Sequence, residues 1–559
     1  MATETTGAAA TRPTDVGLRR EVGFIGAVWA SESSIIGSGW LFAALFATQL
    51  AGASAIYAWL IAGAAVIILS LVHAELGGMY PVAGGTARFP HYAYGGVAGV
   101  SFGFFSWLQA AAVAPVECYA VMRYAWYYWH SIYVPSTGLV TGLGLGMTII
   151  LMATFTLINF FGIRWLARVN STVMWWKLAV PVFAILVLLF KWHSGNFTAG
   201  APGGVNGSGG FAPFGAKGVL NAVVGAGIVF AYLGFEQADQ LAGEIKNPQR
   251  TLPRAISIAM MIGTAVYIMV QVVFIAAMDP AQLTHGFAGI TNASVLAGPI
   301  AGMAGLIGLG WLAIILRIDA VISPYGTGLI YLTSTSRVSY GLARNRYVPQ
   351  IFRWTDSRGV PWFSMLFSFA LGLIFLLPYG TWQSLVGLIT GASVLMYAGA
   401  PLSLFAFRRR LPDASRPYRM AGAIVIAPLA FIIASLLIYW SGFLTVWKLG
   451  IALVIGYVVI GIAMIFDDER PKLGLKEWKA ASWLPVYIIG MGIISWQGQF
   501  SGGAVKPPLN TGHIALWWDI ILVAGFSLAI FIWAQLTSLP RDEILDIVGE
   551  QAAPEAQAT

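Results

Sequence analysis

Ile36-Gly37-Ser38-Gly39-Trp40, in the middle of the first long apolar segment, is the stretch on which the reading of this chain turns. A glycine costs about 1 kcal/mol relative to alanine in a helix interior, and two stand here. Ser33, Ser34 and Ser38 add hydroxyls where hydrocarbon is expected. A span that only anchors a protein has no reason to interrupt itself at mid-depth. One that offers its own N–H and C=O groups to a polar solute does, since broken backbone at that depth is tolerated only where it lines a protein-enclosed cavity. The break predicts a solute-binding site inside a membrane.

The rest of the chain supplies the membrane. Of its 559 residues, 58% are hydrophobic and 10% charged, against about 25% charged in a typical soluble domain. Apolar runs long enough to cross the hydrocarbon core recur along nearly the whole length. The expected fold class is an all-α polytopic membrane protein, because a membrane β-barrel would show short alternating strands. Ten spans are predicted near 22–50, 54–76, 96–130, 138–161, 169–190, 219–243, 255–278, 309–334, 363–378 and 382–407. Four more fall near 421–440, 443–466, 481–497 and 515–537, making fourteen.

The formal net charge of +8 at first suggests a nucleic-acid partner. Its distribution argues otherwise. With the N-terminus inside, one set of loops holds Arg19, Arg20, Arg88, Arg164, Arg168, the cluster Arg337 to Arg358, Arg408-Arg409-Arg410, Arg470 and Lys472. The opposite loops hold Lys191, Lys217, Lys448 and Lys506. That is the positive-inside pattern; it places both termini in the cytoplasm and implies a lipid bilayer, not nucleic acid, as surroundings. Cys118 stands alone and the six histidines lack ligand spacing, so neither metal nor cofactor is implied. No nucleophile–base motif suggests an enzyme. Residues 1–21 read as a cytoplasmic tail without a cleavable signal, 22–407 as a transport core, 408–539 as peripheral spans, and 540–559 as a mobile cytoplasmic tail. Arg337 to Pro361 reads as a short surface helix, and the Gly-rich interval from His193 to Lys217 as a flexible loop.

A second break resembles the first. Phe230-Ala231-Tyr232-Leu233-Gly234-Phe235-Glu236 puts a glycine and polar atoms near the middle of the sixth span. Spans one and six hold corresponding places in two groups of five, and five spans reverse the direction of the chain, so a second copy starts inverted. Glycine-interrupted segments at matching positions of two halves point to a transporter binding site.

With these stretches, I-G-S-G-W-L-F (36–42), H-A-E-L-G-G-M-Y-P-V-A-G-G-T (73–86), G-E-I-K-N-P-Q-R-T-L-P-R-A (243–255), S-R-V-S-Y-G-L-A-R-N-R-Y-V-P (336–349) and L-P-D-A-S-R-P-Y-R (411–419) complete a pattern. Across roughly its first 420 residues the chain resembles amino-acid permeases of the amino acid–polyamine–organocation superfamily. Within it, E-Q-A-D-Q-L-A-G-E-I-K-N-P (236–248) and the fourteen-span length are most similar to a bacterial aspartate–proton symporter group. The resemblance implies a five-plus-five inverted-repeat fold with discontinuous first and sixth helices, in the bacterial cytoplasmic membrane.

The breaks come first among candidate residues. Unwinding at Gly37–Gly39 would free N–H groups where a helix dipole favours a substrate carboxylate. Carbonyls near Ser34–Ile36 and Phe230–Tyr232 would take its ammonium. Ser34, Ile36, Gly37, Ser38, Gly39, Phe230, Ala231, Tyr232 and Gly234 are therefore the expected substrate-binding residues; the bland alternative is close helix packing through small residues.

Lys177, half a span into the fifth helix, is an intramembrane ionisable group and a functional candidate by default. Burial disfavours an ammonium, so Lys177 could exchange a proton during transport; otherwise it snorkels to the interface. In sodium-independent relatives, the resemblance implies, a lysine here stands in place of a sodium ion. Glu117 could pair with Lys177, contact substrate or carry the proton, or form an ion pair with nearby Arg123. Arg317 could hold a second substrate carboxylate, unless it interacts with Asp319 or sits at the outer interface. Trp107, Phe230, Tyr232 and Phe235 are candidate lids, though most aromatics in such chains are packing or interface anchors. Glu236 and Asp239 could close a cytoplasmic gate against basic loop residues. Ser323 could face Lys177, or bond within its own helix.

The expectation is a secondary active transporter carrying an amino acid, acidic and aspartate-like, with a proton, by alternating access. An amino-acid or polyamine exchanger is the rival of the same fold; a channel or receptor is the rival from another class.

Overall fold

The computed structural model describes residues 18, 20–135, 137–199, 210–376, 381–465, 473–502 and 509–552. Arg19, Arg470, Lys472, Lys506, the Gly-rich stretch 200–209 and both ends of the chain lie outside the described residues.

Helices dominate, as they must where water cannot satisfy the backbone. In chain order they are α1 (Phe24–Ile35), α2 (Ser38–Ala51), α3 (Ala55–Met79), α4 (Gly85–Tyr94), α5 (Gly96–Ala125), α6 (Gly142–Asn159) and α7 (Ile163–Leu189). Next come α8 (Gly215–Gly225), α9 (Ile228–Tyr232), α10 (Gln237–Gln240), α11 (Pro248–Ala277), α12 (Ala293–Ala297), α13 (Pro299–Leu306) and α14 (Gly310–Arg344). The chain continues with α15 (Trp362–Phe375), α16 (Trp382–Arg410), α17 (Ala423–Trp440), α18 (Phe443–Ile465), α19 (Leu475–Ala480), α20 (Trp483–Gln497), α21 (Leu516–Thr537) and α22 (Arg541–Ala552). Tyr133–Val134 and Leu139–Val140 form a minimal antiparallel hairpin.

Among the described residues, ten segments are long and apolar enough to cross a membrane, with α1 to α3 counted as one. The chain is a polytopic helical membrane protein. Helices α15 and α20 are apolar but shorter, and the sixth expected span is divided among α8, α9 and α10.

Burial sorts the helices by surroundings. Segments α1, α2, α5, α9 and α16 are buried along most of their length, whereas α7, α18, α20 and α21 expose Trp175, Val454, Ile455, Ile489, Trp517, Trp518 and Ile521. Large apolar side chains on the outside are what a hydrocarbon solvent permits. The interrupted segments thus lie in the protein interior.

Two expectations need correction. Residues 337–344 form no separate surface helix; they continue α14, with Val338, Tyr340 and Leu342 buried. Their polar neighbours bond back to the same helix: Thr335 Oγ1 donates to Tyr331 C=O at 2.7 Å and Ser339 Oγ to Thr335 C=O at 2.9 Å. The tail from Pro540 is also ordered as far as Ala552, because α22 buries Ile544 and Val548.

Candidate functional site

The first apolar segment breaks at Ile36 and Gly37, whose backbones leave helical geometry between α1 and α2. The second breaks after α9, where Leu233 is extended and Gly234 has φ of +118°. Only glycine occupies such a conformation without strain. The two breaks meet. A Cβ on Gly39 would stand 2.7 Å from Ala231 Cα, and one on Gly234 would stand 2.5 Å from Ser34 Cβ. The glycines therefore allow close packing as well as unwinding; the two readings of their role are compatible.

Between the breaks is a narrow cavity with about 190 Å³ of empty space, nowhere wide enough to seat a water molecule. Of the expected residues, Ser34, Gly37, Gly39, Glu117 and Phe230 line it, together with Ile35, Val113, Thr327 and Tyr331. A solute must widen it to enter.

The backbone groups released by the first break are largely held by side chains. Ser38 N–H donates to Glu117 Oε2 at 2.8 Å, and Ser38 Oγ to Glu117 Oε1 at 2.9 Å. Thus the protein's own carboxylate occupies the N-terminal end of α2, where the dipole favours negative charge. Gly37 N–H bonds to Ile35 C=O at 2.9 Å, and Tyr267 OH donates to that same carbonyl at 2.5 Å. Glu117 thus takes the place in which the first break would otherwise offer the Ser38 N–H to a solute.

Lys177 is fully buried and reaches α1. Its ammonium donates to Ser33 C=O at 2.5 Å, Ser33 Oγ at 3.1 Å and Thr327 Oγ1 at 3.0 Å. Thr327 Oγ1 in turn donates to Ser33 C=O at 2.7 Å. Three acceptors match the three donors of a protonated lysine, so a snorkelling lysine is not what the fold contains. The ammonium ties the broken end of α1 to α7 and α14. Glu117, Asp319 and Glu32 are within its electrostatic reach.

Several expected contacts are not made. Glu117 spends its oxygens on Ser38 and forms no ion pair with Arg123, which stacks instead on Phe42, 4.6 Å from the ring centroid. Ser323 does not face Lys177: its hydroxyl lies 2.9 Å from both Asp319 oxygens, and Thr327, one turn later, takes the lysine. Arg317 sits 3.4 Å above the Tyr127 ring, beside a separate cavity with Tyr124 and Ser294, and does not line the central one. Trp107 stacks on Phe367 at 5.6 Å and donates to Ser339, so it is no lid over this cavity. Tyr232 turns away too, donating to Trp59 C=O at 3.2 Å, and Phe235 packs against His73 and Tyr397. Glu236 accepts Gly234 N–H at 3.0 Å and Tyr397 OH at 2.6 Å, steadying the second break from within. Asp239 is buried and its oxygens have no hydrogen-bond partner.

The ion pair expected of Glu236 and Asp239 is made by Glu244. Arg337 grips it through two nitrogens at 3.0 and 2.8 Å, both side chains buried. Beside them Val22 N–H donates to Glu244 C=O at 3.0 Å and Lys246 N–H to Val22 C=O at 2.8 Å, lacing the chain before α1 to the chain after α10. This defines the near end of the bundle. At the far end, Phe42 and Phe46 of α2 pack on Trp382 at 4.8 and 5.9 Å, and Trp382 packs on Phe230 at 5.8 Å. Trp382 Nε1 also donates to Ser38 Oγ at 3.2 Å.

The sequence reading passed over Thr327, Trp382 and Glu32. Glu32 carried a usable signal, a carboxylate in an apolar segment directly before Ser33; it is buried with both oxygens unpartnered.

Residues 22–465 match the family described as amino acid permease. The chain belongs to that family. The permease is 34% identical to a glutamate/serine transporter of Bacillus subtilis over 95% of its own length and 96% of the relative's. It is 35% identical to an aspartate-proton symporter of the same organism, over 91% and 95%, and 27% identical to a serine/threonine exchanger, over 82% and 99%. The protein is thus a multi-pass membrane transporter of amino acids, not an enzyme.

Proposed function

We propose that this permease carries an acidic amino acid, aspartate-like, together with a proton into a bacterial cell by alternating access. The observation that carries this reading is the pair of chain breaks packed on one another around a cavity, with the Glu117 carboxylate and the Lys177 ammonium bound to the two sides of the first break. Ser34, Ile36, Gly37, Ser38 and Gly39, with Phe230, Ala231 and Gly234, hold the backbone end of the substrate. Tyr232 supports the second break from behind. Lys177 and Glu117 couple the proton: losing it from Lys177 removes the charge and one of the three donors that join α7 to α1 and α14, loosening α7 from the broken end of α1.

In this reading the chain crosses the membrane fourteen times. Its first ten passes form two inverted groups of five, the last four are peripheral, and both termini are cytoplasmic. The near end is the cytoplasmic one and the far end faces outward. The aspartate-proton symporter and the glutamate/serine transporter among the relatives support the acidic lean. The serine/threonine exchanger favours exchange as the second reading.

The test is uptake of labelled L-aspartate into proteoliposomes. Uptake should rise with an inward proton gradient and need no sodium. Equal accumulation after the gradient is collapsed would sink the symport reading and leave exchange.

A further inference from the structure

Arg123, near the far end of α5, is a buried cation without an anion. It is 5% exposed, and no carboxylate among the described residues lies within ion-pair distance. One terminal nitrogen donates to Leu296 C=O on α12, while Nε is buried with no hydrogen-bond partner. The guanidinium carbon stands 4.6, 5.4 and 6.0 Å from the ring centroids of Phe42, Phe46 and Tyr133. Aromatic faces hold a cation by their quadrupole, but they offer its in-plane N–H donors no acceptor, and Nε is left without one. Those donors match a carboxylate in geometry and charge.

The position of this cation is as informative as its lack of a partner. Phe42 and Phe46 pack on Trp382, Trp382 packs on Phe230, and Phe230 lines the central cavity. Arg123 covers the far side of that aromatic stack. A movement of α2 that parts the stack to admit a solute carries Phe42 and Phe46 away from the guanidinium beside the opened path. Glu117, the carboxylate on the same helix, is turned to Ser38 and makes no ion pair with it.

We infer that Arg123 is a specificity-determining residue of this permease, binding the side-chain carboxylate of an acidic amino acid when the aromatic stack opens. The inference deepens the proposed function and rests on its acidic substrate. Arg317, in contrast, is stacked on Tyr127 outside this path. The rival is a purely structural Arg123 that pins α12 through Leu296.

KM and kcat for L-aspartate and L-serine, measured on the full chain in proteoliposomes, separate the two. Arg123→Gln should raise the aspartate KM about tenfold more than the serine KM, and Arg123→Lys should recover part of that difference by restoring charge. An equal rise for both substrates, or none, overturns the inference. If the glutamine variant is not recovered folded, the lysine variant decides: an aspartate KM raised about threefold over serine upholds the role, since lysine lacks the planar fork, and an unmoved ratio overturns it. Wild-type protein that transports serine and not aspartate would overturn the acidic-substrate reading itself. Wild-type aspartate uptake with an unmoved ratio in the variants would overturn only the role of Arg123.

Discussion

Glu117 and Ser38 form a closed pair: the carboxylate accepts both the backbone N–H and the hydroxyl of one residue, at 2.8 and 2.9 Å, at the first turn of α2. A charged acceptor there is stabilised by the helix dipole and by charge-assisted hydrogen bonds. Glu117→Gln keeps an acceptor but removes the charge. Aspartate uptake should fall about tenfold, and Glu117→Ala should fall further, to background. Wild-type uptake by the glutamine variant would show that the charge is not used.

Lys177 makes three hydrogen bonds that join α7 to α1 and α14. Lys177→Ala removes the tie and its exchangeable proton together. Gradient-driven accumulation of aspartate should be lost while exchange of internal for external substrate persists. Accumulation at the wild-type level would remove Lys177 from the coupling mechanism.

Gly39 and Gly234 test whether the breaks must touch. A valine Cβ at position 39 would meet the Ala231 backbone at 2.7 Å, and alanine at 234 would meet Ser34 at 2.5 Å while keeping φ near +118°. The second change carries a backbone penalty of about 1–3 kcal/mol. Both variants should reach the membrane yet transport less than about a tenth as fast. Normal transport by Gly39→Val would mean that α2 and α9 separate without functional loss.

Arg337 and Glu244 are buried partners at the near end. Removing one leaves the other charge uncompensated, at a cost of about 3–5 kcal/mol, whereas replacing both with apolar residues of similar volume is often tolerated. Arg337→Met should therefore lower the melting temperature in detergent more than Arg337→Met combined with Glu244→Met. If the double variant were the less stable, the pair would be stabilising in its own right.

Ligand-induced thermal stabilisation is the simplest check on substrate class. Aspartate and glutamate should raise the melting temperature, and arginine and lysine should not. The reverse order would exclude an acidic substrate.

The breaks were legible because glycine and serine in an apolar run have a cost that only a special backbone explains, and Gly37, Gly39 and Gly234 carry that cost openly. Lys177 was legible for the same reason. What escaped was direction around a helix. Ser323 and Thr327 are one turn apart, and only the packing of α14 against α7 decides which meets the lysine. Tyr232 adjoins a break yet faces Trp59, since adjacency along a chain does not fix which side of it a ring takes. Arg337 to Pro361 reads as surface because its arginines follow the positive-inside pattern, but an arginine with a buried partner belongs to the interior. The partner, Glu244, is 93 residues away.

The lacing of Val22 to Glu244 and Lys246 gives the moving parts a shared handle. Two backbone hydrogen bonds clasp the roots of the first and sixth segments, so neither can swing by itself at that end without undoing them. At about 0.5–1.5 kcal/mol net per bond, the clasp is weak enough to open on every turnover. In the proposed alternating access, opening the near end must undo this clasp together with the Arg337–Glu244 pair, so the two segments part there as one event whichever cargo is bound.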